Sequence, residues 1–178
     1  MSRSRYKIYE TDYPYFITNS LVDGLPLFSN RDIAQFILDG FHFLQDSRGV
    51  EVYAYVIMEN HIHFIAIGEA LTEKLRNFKS YTARQIIDYL KNSGHQRLLK
   101  QICRAKLKHK DQSEYQVWQE GFHAKQIITP DMMIQKIEYI HDNPVKRGYV
   151  DLPEHWRYSS VRNYLGMDAL IPVTLYKG

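Results

Sequence analysis

A single cysteine, Cys103, stands among the 178 residues, so the chain has no second thiol to close a disulfide or build a multi-thiolate zinc site. Long apolar runs are missing too: none approaches the roughly 20 residues that span a bilayer. The charged start, MSRSRYKIYE, contains no apolar core of a secretory leader. These absences predict a soluble cytoplasmic protein in a reducing compartment, with no membrane partner. There is no Gly-rich phosphate-cradling loop, which leaves no nucleotide site of the P-loop kind. Repeats, low-complexity tracts and linkers are absent as well, and the chain is expected to form one domain over 1–178, with 150–178 as a C-terminal tail.

Neither sign of charge dominates, with 23 Lys and Arg against 20 Asp and Glu and a net charge of +3. The distribution is more telling than the total. Between Lys91 and Lys110 there is no acidic residue, while Lys91, Arg97, Lys100, Arg104, Lys106, Lys108 and Lys110 alternate with Leu98, Leu99, Ile102 and Leu107. Such a segment fits a phosphate-facing surface or a solvated helix face equally well. The 14 tyrosines suit base stacking and the rims of a small sheet alike.

Hydrophobic periodicity supplies the organisation. Tyr13 to Val22 predicts a first strand, stopped by Asp23-Gly24. Ser29 or Asn30 predicts the cap of a helix carrying Ile33, Phe36, Ile37, Phe41 and Leu44 and ending at Asp46 to Gly49. Val50 to Met58 and His61 to Gly68 form a hairpin across Glu59-Asn60, expected at the centre of the sheet. Thr72 predicts the cap of a second helix with an apolar stripe of Leu75, Phe78, Tyr81 or Thr82, Ile86 and Leu90, and Arg76, Lys79 and Arg84 lie off that stripe. An edge strand near Phe122 to Ile128 precedes a third helix, which starts at Thr129-Pro130-Asp131 and runs to about Asn143, where Pro144 disfavours continuation. Short helical structure is expected from His155 onward. The order of elements predicts a ferredoxin-like α+β sandwich, an antiparallel sheet with helices on one side.

Within that frame a few residues can do chemistry. His61 and His63 are two apart on a strand, so alternation turns both imidazoles to one face while Ile62 and Phe64 take the other. Spacing alone fits either a pair of metal ligands or one hydrogen-bonded strand-end histidine beside an exposed one. On the third helix Met133, Ile137 and Ile140 make the apolar stripe, and Tyr139 lies well away from it. Gln135 and Asn143 flank Tyr139 by one turn each, so either amide can bring a carbonyl oxygen to a metal shell.

In order along the chain, Tyr15 to Thr18, the run Tyr55-Val56-Ile57-Met58-Glu59-Asn60-His61-Ile62-His63-Phe64, the run Leu75 to Thr82, the run Tyr139-Ile140-His141-Asp142-Asn143-Pro144-Val145-Lys146-Arg147-Gly148, and Trp156-x-Tyr158-Ser159-Ser160 resemble the IS200-like transposases of the HUH endonuclease class, in particular their REP-associated tyrosine transposase branch. That resemblance implies a metal-dependent enzyme that cleaves and rejoins single-stranded DNA through a covalent 5′-phosphotyrosine and leaves a free 3′-hydroxyl. It implies Tyr139 as nucleophile, His61, His63 and Asn143 as metal ligands with Gln135 as the weaker third choice, and Mg²⁺ or Mn²⁺ as the ion. A phenol with an ordinary pKa near 10 needs such help at neutral pH.

The expected substrate is hairpin-forming single-stranded DNA, with Arg76, Lys79 and Arg84 facing its backbone and the basic run that includes Arg97, Lys100 and Arg104 reaching the hairpin stem. Some relatives are homodimers that exchange the tyrosine helix, so a dimer is an open expectation. A rolling-circle replication initiator and a non-catalytic, transposase-derived DNA-binding protein are the alternatives. Glu59 replaces a proline common in the family, and Trp156 and Tyr158 are expected to cap the core more than to stack on a base. His141 has no assigned role.

Overall fold

The computed structural model describes residues 8, 11–108 and 113–178. The stretch 1–7 with Tyr9 and Glu10, and Lys110 of the basic run, lie outside the described residues. Four strands, β1 (Tyr15–Ser20), β2 (Glu51–Ile57), β3 (His61–Ile67) and β4 (His123–Gln126), form one antiparallel sheet in the order β2-β3-β1-β4. Together with α1 (Arg31–Arg48), α2 (Leu71–Asn92) and α4 (Pro130–Lys146) this is the expected α+β, ferredoxin-like arrangement, to which the short α3 (Gln96–Arg104) and α5 (Val161–Tyr164) are added.

The hairpin that was expected at the sheet centre is placed differently. β3 is central beside β1, whereas β2 is the outer strand.

Local signals fix most boundaries. The Asn30 side chain accepts hydrogen bonds from the backbone N–H groups of Asp32 and Ile33 at 2.9 and 3.3 Å, capping α1. Gly49, at φ 59°, closes the same helix in the left-handed conformation that glycine adopts without a Cβ penalty. α2 departs from expectation at its start. Thr72 lies inside it, and the cap position is Ala70, at φ 50° and with no side-chain cap bond. Starting the helix at Leu71 buries that leucine, worth about 1.5–3 kcal/mol, whereas a side-chain cap is worth about 1 kcal/mol.

The apolar stripe of α2 uses Thr82, and Tyr81 is exposed. Thr82 is accommodated there because its hydroxyl donates to the carbonyl of Phe78 at 2.8 Å and accepts from Trp118 Nε1 at 3.1 Å. In α4 the Thr129 hydroxyl accepts from the Met132 N–H as the expected cap, but the helix continues past Asn143 to Lys146. Pro144 withholds only its own N–H, and the next turn is bonded by Arg147 N–H to Asn143 C=O and by Tyr149 N–H to Pro144 C=O.

Two apolar clusters lie on the two faces of the sheet. Ile33, Ile37, Phe41, Leu75, Phe78 and Ile86 of α1 and α2 pack on Ile17, Tyr55, Ile62 and Phe64. Met133, Ile137 and Ile140 of α4 pack on Ala54, Val56, Met58 and Ile65, which alternate with the first strand set. The helices therefore do not all share one side: α1 and α2 cover one face and α4 the other.

The segment 156–176 runs along the outer edge of β2. Tyr158 and Ser160 exchange backbone bonds with Ile57 and Tyr55, and Thr174 N–H donates to Val52 C=O at 2.9 Å. This covers an edge that would otherwise template pairing with another chain.

Candidate active site

Register decides what surrounds the histidines. On β1, Thr18 is paired with His63 and Ser20 with His61, and Phe16 and Thr18 share the face that α4 covers. His61 and His63 are 8% and 7% exposed and their ring centroids are 4.7 Å apart.

Each ring is held through Nδ1. His61 Nδ1 lies 2.7 Å from Asn60 Oδ1, and His63 Nδ1 lies 2.8 Å from the Thr18 hydroxyl. An amide oxygen only accepts, so His61 Nδ1 carries the proton and its Nε2 lone pair is free. Burial, then the Arg147 guanidinium, pushes the His61 pKa down, against the pull of Glu59. Burial, then His61, Arg147 and Lys136, pushes the His63 pKa down to about 3. Both imidazoles are thereby kept neutral, the form that ligates metals.

Helix α4 brings Tyr139 over this pair. Its ring centroid lies 5.4 Å from that of His63 and 5.7 Å from that of Phe16, edge-on to both, while Phe16 stacks on His63 at 5.4 Å. Tyr139 is 37% exposed, so its phenol is held by aromatic walls and still open to a ligand. One turn on, Asn143 is 7% exposed and its Oδ1 is buried with no hydrogen-bond partner. One turn further, Arg147 reaches Glu59 at 3.8 Å.

Among the described residues no three His, Cys, Asp or Glu side chains converge on a metal site. A third protein donor to an ion held by His61 and His63 would then be of another kind. The orphaned oxygen of Asn143, four residues beyond Tyr139 on the same helix, fits that need, because a buried amide oxygen without a partner is costly unless something binds it. Gln135, one turn before Tyr139, is exposed.

The six basic residues predicted to meet DNA are not at this site. Arg76, Lys79 and Arg84 lie on α2, and Arg97, Lys100 and Arg104 form an exposed row on α3, whose Leu99 and Ile102 join the α1–α2 cluster across the sheet from α4. The Lys79 ammonium is bonded to the carbonyls of Gln119 and Gly121 and sits 5.9 Å from the Trp118 ring centroid, so it ties down the segment before β4.

The cations that do surround Tyr139 are Lys136 and Lys146. Lys136 Nζ is 4.9 Å from the Phe16 ring centroid and 5.5 Å from that of Tyr139, and Lys146 Nζ is 5.8 Å from the latter on the other side. Only the spacing of Lys136, three residues before Tyr139, was visible in advance. His141 gains a structural role: its Nε2 lies 2.9 Å from the Ser160 hydroxyl, which also accepts from the Tyr55 N–H at 2.9 Å. Trp156 and Tyr158 pack against the two clusters, and the Trp156 indole N–H donates to Ile57 C=O at 3.0 Å.

No family model matches the chain. A Haemophilus influenzae protein whose curated name places it provisionally among the REP-associated tyrosine transposases is 33% identical over 110 residues, 62% of this chain. The chain spans 58% of that relative's length in the match. Among solved structures, a REP-associated tyrosine transposase bound to a REP hairpin superposes with a TM-score of 0.66 at 21% identity, covering 99% of this chain and 96% of that one. A Deinococcus radiodurans chain described as a candidate transposase gives a TM-score of 0.47 at 14% identity, over 80% of this chain and 97% of that one. In sequence over those 110 residues, and in fold over nearly its whole length, the chain is similar to the REP-associated tyrosine transposases.

Proposed function

We propose that this chain is a metal-dependent tyrosine transposase that cleaves and rejoins hairpin-flanked single-stranded DNA. The observation that carries the reading is the meeting, within one chain, of Tyr139 with His63 at 5.4 Å between ring centroids, with the unpartnered Asn143 Oδ1 one turn further along the same helix. The kinship with a named transposase supports it.

His61 Nε2, His63 Nε2 and Asn143 Oδ1 would hold Mg²⁺ or Mn²⁺, which when bound supplies Lewis-acid polarisation of the scissile phosphate. Three protein donors leave room for phosphate oxygens and water, as such ions require. Thr18 and Asn60 orient the two imidazoles from behind.

The Tyr139 oxygen attacks phosphorus, its proton passing to solvent. The bond from phosphorus to the 3′-oxygen breaks, and that oxygen takes up a proton to leave a 3′-hydroxyl. The 5′-phosphotyrosine keeps the reactivity of a phosphodiester, so another 3′-hydroxyl can reverse the step without ATP. Phe16 and His63 fix the phenol so that little orientational freedom is lost at the moment of attack.

The test is incubation with labelled single-stranded hairpins from the flanks of the chain's own gene, with Mg²⁺ or Mn²⁺, read on a denaturing gel. The expected outcome is a protein–DNA adduct that is lost in Tyr139→Phe, in His61→Ala and on chelation. Because Tyr139 meets the histidines of its own chain, a mixture of the two variants should form none either. Nicking that persists in Tyr139→Phe would refute the covalent mechanism.

A further inference from the structure

Lys136 lies in the first half of α4, on the β4 side of Tyr139. Its ammonium lies over both the Phe16 and the Tyr139 rings, 4.9 and 5.5 Å from their centroids. Lys125 on β4 is paired with Phe16 in the adjacent strand and shares its face. Among the described residues neither lysine has an ion-pair partner, whereas Lys146 is paired with Asp142 at 3.7 Å and Arg147 with Glu59 at 3.8 Å. The cations on the Asn143 side of the phenol thus each have a carboxylate partner, and the two on the β4 side have none while the charge of one acts on the other.

Burial and the charge of Lys125 push the Lys136 pKa down, as expected for an ammonium crowded by a like charge with no anion beside it. Aromatic faces offset only part of that cost. An anion placed against the phenol would offset the rest.

We propose that Lys136 is a catalytic residue whose ammonium contacts the transferring phosphate beside Tyr139, with Lys125 taking the next phosphate of the strand as it leaves over Phe16 toward β4. The proposal rests on the reading of Tyr139 as nucleophile. It assigns to the β4 side of the phenol a contact to phosphate that is independent of the metal ligands. A fixed ammonium at that place stabilises charge on the non-bridging oxygens as the bond to Tyr139 forms, without reorganising during the step.

The experiment compares wild type, Lys136→Met, Lys136→Arg and Tyr139→Phe in single-turnover adduct formation, with hairpin affinity and its salt dependence measured in parallel. Methionine keeps the stem over Phe16 and removes the charge, while arginine keeps the charge. The expected result is that Lys136→Met slows adduct formation by roughly 10²-fold at saturating DNA, that Lys136→Arg restores most of the rate, and that the slope of log affinity against log salt falls by about one in Lys136→Met.

A Lys136→Met protein that forms the adduct at the wild-type rate, while Tyr139→Phe forms none, overturns the assignment and leaves the transposase reading standing. If wild type forms no adduct the transposase reading fails. The binding arm then decides for Lys136: an unchanged affinity and salt slope in Lys136→Met overturns the phosphate contact as well.

Discussion

Thr18 and Asn60 are small residues with a large influence on the histidines, since each grips one Nδ1 and thereby aims the opposite nitrogen. Removing such a partner from a metal-bound imidazole ordinarily costs ten- to a hundredfold in affinity. Thr18→Val keeps the shape and β-propensity of the residue while deleting the hydroxyl. Manganese titration followed by electron paramagnetic resonance is expected to show binding weakened by about tenfold or more, with the free energy of unfolding within about 1 kcal/mol of wild type. Binding that is unchanged would remove Thr18 from the site.

Elements meet at close quarters where α1 crosses α2. A Cβ built on Gly40 would lie 2.6 Å from the Phe78 ring and 3.3 Å from a Thr82 methyl, so the absence of a side chain is what lets the two helices approach. Two effects oppose each other in Gly40→Ala. Alanine favours a helix interior by about 1 kcal/mol, while overpacking a filled core costs about 1–3 kcal/mol. Phe78 is buried and itself stacked on Phe41 at 5.4 Å, so it has little room to yield, and overpacking wins. Urea unfolding of Gly40→Ala should show a net loss of up to about 2 kcal/mol. A gain in stability would mean that the helices can separate at no cost.

For the molecule as a whole, the bond between His141 and Ser160 couples the tyrosine helix to the tail segment that seals the β2 edge. Burial pushes the His141 pKa down from an ordinary 6.5 to about 4, against the pull of Asp142. A lowered folded-state pKa means that the unfolded chain binds the proton more tightly. The stability this histidine supports is complete above pH 6.5, falls as the pH drops, and is lost once the pH reaches about 4. A shift of this size corresponds to a cost on the order of 3 kcal/mol. His61 and His63 shift the same way, so wild type should lose stability steeply between neutral pH and pH 4.5 in urea titrations, and His141→Gln should lose about 2 kcal/mol less. Parallel losses in both proteins would show that His141 does not titrate within that window.

What the sequence determined by itself is local. Alternation put His61 and His63 on one face, the stripe of Met133, Ile137 and Ile140 freed Tyr139 from the core, and Asn30, Gly49 and Thr129 marked helix ends, because each depends on residues within a turn or two of one another. Boundaries failed where burial outweighed local chemistry, at Thr72 and past Pro144. Only the tertiary structure decided which face α4 covers, that Thr18 and Phe16 lie beside His63, that Lys136 rather than the basic residues of α2 and α3 approaches the phenol, and that β2 is an outer strand. Those facts depend on strand register and on which apolar faces meet. Such choices sum many small burial terms between residues far apart in the chain, so no local pattern records them.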